Sequence, residues 1–337
     1  MAERKIFNSK ILDEIGTSLS DFEEVKEGDK DYYILGKGPS GFTEKMKSKR
    51  NSKFYAIKKL DKKGNCNYES LERQAQIYID LDHPNLIKLY GFFEDKEKID
   101  KYKCIYNDKE LGTEDKEVYC LVLECAENGS LEDYFKKYQE KNKTKKSFVP
   151  IPQNIIIQFL KQLLDALKFL HSLNITYLDI KPDSILLGEN NTIKISDFDL
   201  SVQVTDQNFN DDLEEILYSD CTMAGRKDFI FPENKKGTDY SFKANIYSTG
   251  LIILKLISEK NPFEVIKDGN QQEIIKINEG YIFKTYNKYL IKLIKKMIEA
   301  DINLRPTSSQ CLEELENIKK IIDNPKDKLA KKYLENK

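Results

Sequence analysis

The sequence predicts an α+β protein, with strands gathered in its first third and helices dominating the rest. Short runs of β-branched and aromatic residues recur at 32–35, 53–58, 86–93 and 118–123, each bounded by glycine or charged turns. From residue 154 onward apolar side chains return at helical spacing instead. No segment repeats, and no apolar run approaches the length needed to span a bilayer.

Taken in order, residues 1–29 are mixed in charge and weakly periodic. They are expected to be an N-terminal extension, docking as a short helix or strand. A Gly-rich turn then separates the strands 32–35 and 53–58. Leu71, Ala75 and Tyr78 fall on one face of a helix over 70–80. Between the strands 86–93 and 118–123 lies an insertion at about 94–116, rich in lysine and acids. It reads as a solvated loop, and its functional alternative is a docking loop. Residues 154–173 form an amphipathic helix through Ile157, Leu160, Leu164, Leu167 and Leu170. Residues 185–187 and 193–195 form a hairpin turning through Gly188, Glu189, Asn190 and Asn191. Helices follow at 244–259, 288–300 and 308–324, the last opened by Thr307 and Gln310 as a capping box. A lysine-rich tail occupies 322–337.

Lys+Arg is 55 against Asp+Glu 57, so the near-neutral balance gives no electrostatic footprint for nucleic acid or a membrane surface. Six cysteines without a paired C-x-x-C, and only two histidines, argue for reduced thiols and against a zinc site. Residues 1–5 have no apolar stretch behind them, as a secretory leader would. These readings together predict a cytoplasmic protein, not embedded in a membrane.

The motifs are more specific. Ile175-Thr176-Tyr177-Leu178-Asp179-Ile180-Lys181-Pro182-Asp183-Ser184, followed by Asp197-Phe198-Asp199, resembles the H-R-D-x-K-x-x-N loop and D-F-G motif of protein kinases. Gly36-Lys37-Gly38-Pro39-Ser40-Gly41 resembles the family's glycine-rich loop, and Ala56-Ile57-Lys58 its V-A-I-K strand. Leu121 to Cys125 resembles the strand, gatekeeper (Leu123) and hinge. The likeness runs from about residue 32 to 321.

The resemblance implies a bilobal fold. Its small lobe, residues 30–124, has an antiparallel sheet and one helix. A mainly helical lobe with the hinge spans 125–321. It also implies roles. Asp179 and Lys181 would be catalytic. Gly36, Gly38, Gly41, Ala56, Lys58, Glu124, Cys125 and Leu186 would hold ATP, bound weakly. Asp197 and Ser184 would hold Mg2+, Ser184 standing where the family has Asn.

Other positions depart from the pattern. Tyr177 replaces His, Leu178 replaces the Arg that receives an activation-loop phosphate, and Asp199 replaces Gly. Gln74 falls where the glutamate partner of Lys58 is expected, and Asn245 replaces the Asp that holds the catalytic loop. Arg226 stands where a Thr is expected, and a guanidinium there would pair with Asp179 and weaken it as a base. With Leu178 present, phosphorylation of Thr205, Ser219 or Thr222 is not expected to order the activation segment. Glu233 and Arg305 retain the family's structural ion pair.

The expected function is therefore a pseudokinase, a scaffold or allosteric partner joined to another protein or larger assembly. Two alternatives stay open: an active, divergent Ser/Thr kinase, and a nucleotide-free structural subunit.

Overall fold

The structure is a computed structural model that describes residues 9–26, 28, 33–38, 41–63, 71, 75, 77–78, 81–106, 112–142, 148–177, 179–198, 201–203, 242–258 and 284–335. The chain divides into two compact units, 1–82 with 87–127, and 83–86 with 128–337.

The first unit is built on an antiparallel sheet. Its strands are β1 (Phe22–Glu24), β2 (Tyr33–Gly38), β3 (Gly41–Ser48), β4 (Phe54–Asp61), β5 (Leu89–Glu97) and β6 (Lys116–Glu124), in the order β1-β3-β4-β6-β5 with β2 also paired to β3. Side chains alternate between faces along each strand. Phe42 pairs with Lys59, Glu44 with Ile57 and Met46 with Tyr55, so these share one face. Across the next pairing, Ile57 meets Val122 and Lys59 meets Cys120. Ala56, Lys58, Leu121 and Leu123 belong to the other face. Leu71, Ala75 and Tyr78 are helical and buried, as their spacing predicts, and so is Ile77.

Two helices cover the first of these faces. Helix α1 (Ser9–Ile15) contributes Leu12 and Ile15 to its core, and helix α2 (Ile99–Tyr106) contributes Ile99, Tyr102 and Ile105. Helix α2 corrects the expectation of a solvated loop at 94–116. Residues 99, 102 and 105 share a helical face, but the charges between them mask that period. Burying each such side chain is worth about 1.5–3 kcal/mol, enough to fold a short helix onto a sheet.

Beneath α2 lies an ionic cluster. Lys59 is only 1% exposed and bonds both Glu44, at 2.9 Å, and Glu97. Lys101 of α2 reaches Glu44 at 2.8 Å and Glu24 at 2.6 Å. Burial pushes the Lys59 ammonium toward the neutral form. Glu44 and Glu97 outweigh burial and hold its pKa above the ordinary lysine range.

The second unit is mainly helical: α3 (Leu131–Asn142), α4 (Gln153–Ser172), α5 (Phe242–Ile257), α6 (Lys288–Met297), α7 (Ser308–Asp323) and α8 (Lys328–Glu335). Helix α5 is apolar almost all round and buried almost throughout, as a central helix must be. A Cβ on Gly250 would sit 2.7 Å from Ile298 and 2.9 Å from Met297, so this glycine lets α5 and the end of α6 meet closely. The expected capping box forms: Thr307 Oγ1 accepts from Gln310 N at 3.3 Å, and Gln310 Oε1 accepts from Thr307 N at 2.9 Å. The lysine-rich tail carries α8, which buries Ala330 and Leu334. Short strands β7 (Ile175–Tyr177), β8 (Ile185–Leu187), β9 (Ile193–Ile195) and β10 (Ser201–Gln203) pair as β7 with β10 and β8 with β9. Asn190 and Asn191 take the left-handed conformation at the β8–β9 turn, where short polar side chains are tolerated.

Candidate active site

In the first unit, β2 and β3 form the glycine-rich hairpin, with Gly38 opposite Gly41. The three glycines are not alike. Gly41 has φ +155°, and a Cβ there would lie 1.8 Å from the Lys59 carbonyl oxygen, so the sheet itself requires glycine. A Cβ on Gly36 or Gly38 would meet nothing within 4 Å. The fold does not demand glycine at either, and an incoming phosphate would find the backbone open to approach.

Lys58 and Ala56 sit side by side on β4, on the face opposite the ionic cluster, and pair with Leu121 and Leu123 of β6. At the end of β6, Glu124 N donates to Lys88 O at 2.9 Å. Burial raises the Cys125 thiol to about 11, which keeps it neutral. Gln74 lies outside the described residues, as do Arg226, Glu233, Leu178, Asp199 and the sites Thr205, Ser219 and Thr222.

In the second unit the catalytic-loop residues form a bonded set. Lys181 Nζ lies 2.6 Å from Asp179 Oδ2. Ser184 is 3% exposed; its hydroxyl faces the acceptors Asp179 O at 2.8 Å and Lys181 O at 3.1 Å, and accepts from Lys181 N at 3.2 Å. The Ser184 side chain therefore clasps the loop backbone. Leu186, on β8, bridges to Ser130 of the same unit.

Tyr177, in place of the family's His, is buried and donates its hydroxyl proton to Ser196 O. Its ring meets Phe198 edge-on, with centroids 5.2 Å apart. Ser196 O accepts from one side, while Ser196 N and Oγ both donate to Ser184 O, at 2.9 and 3.0 Å. Both neighbours of Asp197 are thus held, and Asp197 itself adopts φ +66°. Left-handed backbone costs roughly 1 kcal/mol or more in a non-glycine residue, and such strain tends to persist at functional positions.

The Asn245 substitution is compensated. Its Oδ1 accepts from Tyr177 N at 3.4 Å, and its Nδ2 donates to Tyr177 O. An amide serves both backbone groups of one residue, which a carboxylate cannot do. His171 Nε2 lies 3.1 Å from the same Oδ1, and His171 Nδ1 lies 3.3 Å from Ser308 Oγ. With Oδ1 only accepting, the proton sits on Nε2. Burial lowers the His171 pKa to about 4, so this neutral tautomer is the one present at neutral pH.

A model described as the protein kinase domain matches residues 30–315. The chain belongs to the protein kinase family. This kinase domain is 31% identical over 278 residues to "Calcium-dependent protein kinase 5" of Plasmodium falciparum (isolate 3D7), covering 80% of this chain and 40% of that protein. It is 29% identical over 253 residues to an "Aurora kinase" of Eremothecium gossypii, covering 74% of this chain and 58% of that one. It is 26% identical over 285 residues to "Serine/threonine-protein kinase PLK4" of Drosophila virilis, covering 83% and 32%. The chain spans less than two thirds of each of these three relatives.

Protein kinases use ATP and Mg2+. The open backbone at Gly36 and Gly38 of the first unit suits phosphates, and separately Asp197 of the second unit is a hard oxygen ligand of the kind Mg2+ takes. Asp197 would hold the metal, which when bound would neutralise phosphate charge. Arg305, expected to pair with Glu233, is buried, donates to Glu299 O and Ala300 O, and stacks over Tyr247 at 4.7 Å. Among the described residues, no helix is long and apolar enough to cross a membrane, and no cluster of three or more His, Cys, Asp or Glu could hold a metal.

Sequence reading missed two things here. Apolar alternation does not reveal strand β3, because Glu44 and Ser48 interrupt the face that carries Phe42 and Met46. The repair by Asn245 was also missed, although the donor capacity of an amide is visible from residue type alone.

Proposed function

We propose that this domain binds Mg-ATP weakly, transfers phosphate slowly or not at all, and works as a pseudokinase: a cytoplasmic scaffold or allosteric partner of another protein. The observation that carries this reading is Ser184. Its hydroxyl proton is shared between the Asp179 and Lys181 carbonyls, at 2.8 and 3.1 Å, and one lone pair accepts from Lys181 N–H, so it serves as a loop clasp where the family places its second metal ligand. Gln74 and Arg226 add two sequence departures at the Lys58 and Asp179 positions. Each tenfold loss of rate is only about 1.4 kcal/mol of barrier, so three modest defects suffice.

The Lys181–Asp179 contact at 2.6 Å favours the second reading, an active divergent Ser/Thr kinase, because the catalytic carboxylate has a cationic neighbour in place.

The test is a Mg-ATP melting shift run beside a phosphotransfer assay. Expected are stabilisation by millimolar Mg-ATP and very slow transfer. The combined variant Gln74→Glu, Ser184→Asn, Arg226→Thr should raise the rate, and Ser184→Asn alone should do little, since residues acting as a unit are not additive. Transfer by the unaltered chain at roughly 1–100 per second, abolished by Asp179→Asn, would establish the active kinase instead. Absence of any Mg-ATP stabilisation would remove the nucleotide from the reading.

A further inference from the structure

Helix α2 does more than cover the sheet. Its last residue, Tyr106, donates its hydroxyl proton to the carbonyl oxygen of Gly38 at 3.2 Å. In return, Lys37 Nζ donates to the carbonyl oxygen of Ile105 at 3.2 Å. The helix terminus and the glycine-rich hairpin thus exchange one hydrogen bond in each direction. The Lys37 contact also places a cation at the helix C-terminus, where the carbonyls lack partners within the helix.

The contact is reinforced behind the hairpin. Phe42, one residue past Gly41, meets Tyr102 edge-on at 5.2 Å and Tyr106 at 6.5 Å, and Tyr102 stacks on Tyr106 at 5.9 Å. Two residues further along β3, Glu44 is shared by Lys101 of α2 and by Lys59. One helix therefore grips the hairpin at Lys37, Gly38, Phe42 and Glu44.

Gly36 and Gly38 have open surroundings, so their own packing does little to fix the backbone there. A phosphate-facing loop without side-chain anchors loses conformational freedom when a ligand orders it. An external clamp on Gly38 removes part of that cost in advance.

We propose that α2 is a brace that pre-orders the glycine-rich hairpin for the phosphates of a nucleoside triphosphate, with Tyr106 as the positioning residue and Lys37 as its counterpart. Tyr106 does not touch the nucleotide in this scheme; it acts through the Gly38 carbonyl. The proposal rests on the nucleotide-binding part of the function proposed above.

The experiment compares the full chain with Tyr106→Phe and with Tyr106→Phe/Lys37→Met. The phenylalanine keeps the ring against Phe42 and Tyr102, so the fold is retained. Hydrogen exchange is measured over residues 33–48, and affinities are measured for Mg-ATP and for adenosine. Exchange over 33–48 should be faster in the variants. The Mg-ATP Kd should rise about two- to tenfold per lost hydrogen bond, while the adenosine Kd stays unchanged because adenosine carries no phosphates. A merely structural helix would weaken both ligands alike or neither, and either result overturns the brace. If the unaltered chain binds neither ligand, nucleotide binding itself fails, and the exchange data then decide alone. Faster exchange over 33–48 supports the brace; unchanged exchange overturns it.

Discussion

In the first unit the described site residues are those the kinase pattern calls for, and what is particular to this chain is their support. Gly36, Gly38, Gly41 and Lys58 stand on a sheet whose opposite face carries an added helix and a buried ionic cluster. In the second unit the support is ordinary helical packing; Asp179, Lys181 and Asp197 keep the pattern, and positions around them differ. There, the described replacements are bonded into the loop: Tyr177 to Ser196, Asn245 to Tyr177, Ser184 to Asp179 and Lys181. A site can thus keep its shape by preserving residues or by re-bonding substitutes. The second route keeps the shape while changing which groups are left for chemistry.

Three variants bear on that contrast. The largest effect is expected from Lys59→Met in the first unit. It leaves buried Glu97 without its cation and Glu44 with Lys101 alone, and breaking a buried pair from one side costs about 3–5 kcal/mol. Chemical denaturation should show that loss. A cost under 1 kcal/mol would mean the cluster gives no more than a surface pair.

Next is Asn245→Asp, which restores the family residue. Tyr177 O would lose its donor and face a carboxylate, so a loss of about 1–3 kcal/mol is expected, with slower catalysis rather than faster. A gain in stability would show that the amide is no compensation.

The third concerns pH. His171 takes up a proton near pH 4 when folded but near 6.5 when unfolded, because burial disfavours the charged ring. The unfolded chain therefore binds the proton first. Stability is complete above about pH 6.5 and is lost as pH falls toward 4. His171→Gln should flatten the melting temperature across that window relative to the unaltered chain. Equal slopes would place the sensitivity elsewhere.

Much of this was legible in the sequence. The helix at 154–173 appears as α4 (Gln153–Ser172), and the hairpin at 185–195 as β8 and β9, because a period of 3.6 or 2 over apolar residues is hard to disguise. Helix α2 was not legible, since its three buried residues lie among charges, and one of these, Lys101, pairs inward with Glu44. Charge spacing reports solvation only when the charges face water. The catalytic-loop motif gave Asp179, Lys181, Ser184 and Asp197 their positions in the chain. What motif spacing could not tell is where the Ser184 proton goes, because that depends on the local fold of the loop.

Strand β4 carries two adjacent lysines with opposite fates. Lys59 is enclosed by Glu44 and Glu97, while Lys58 belongs to the face of the family's phosphate-contacting lysine. A slip of one residue along β4 would exchange them, because every side chain would turn to the other side of the sheet. Ile57 would leave the apolar core with Lys59, and two carboxylates would have to find Lys58 from a shifted backbone. The enclosed pair of acids therefore works as an alignment key: it admits one of two neighbouring lysines and so settles which one is presented on the opposite face.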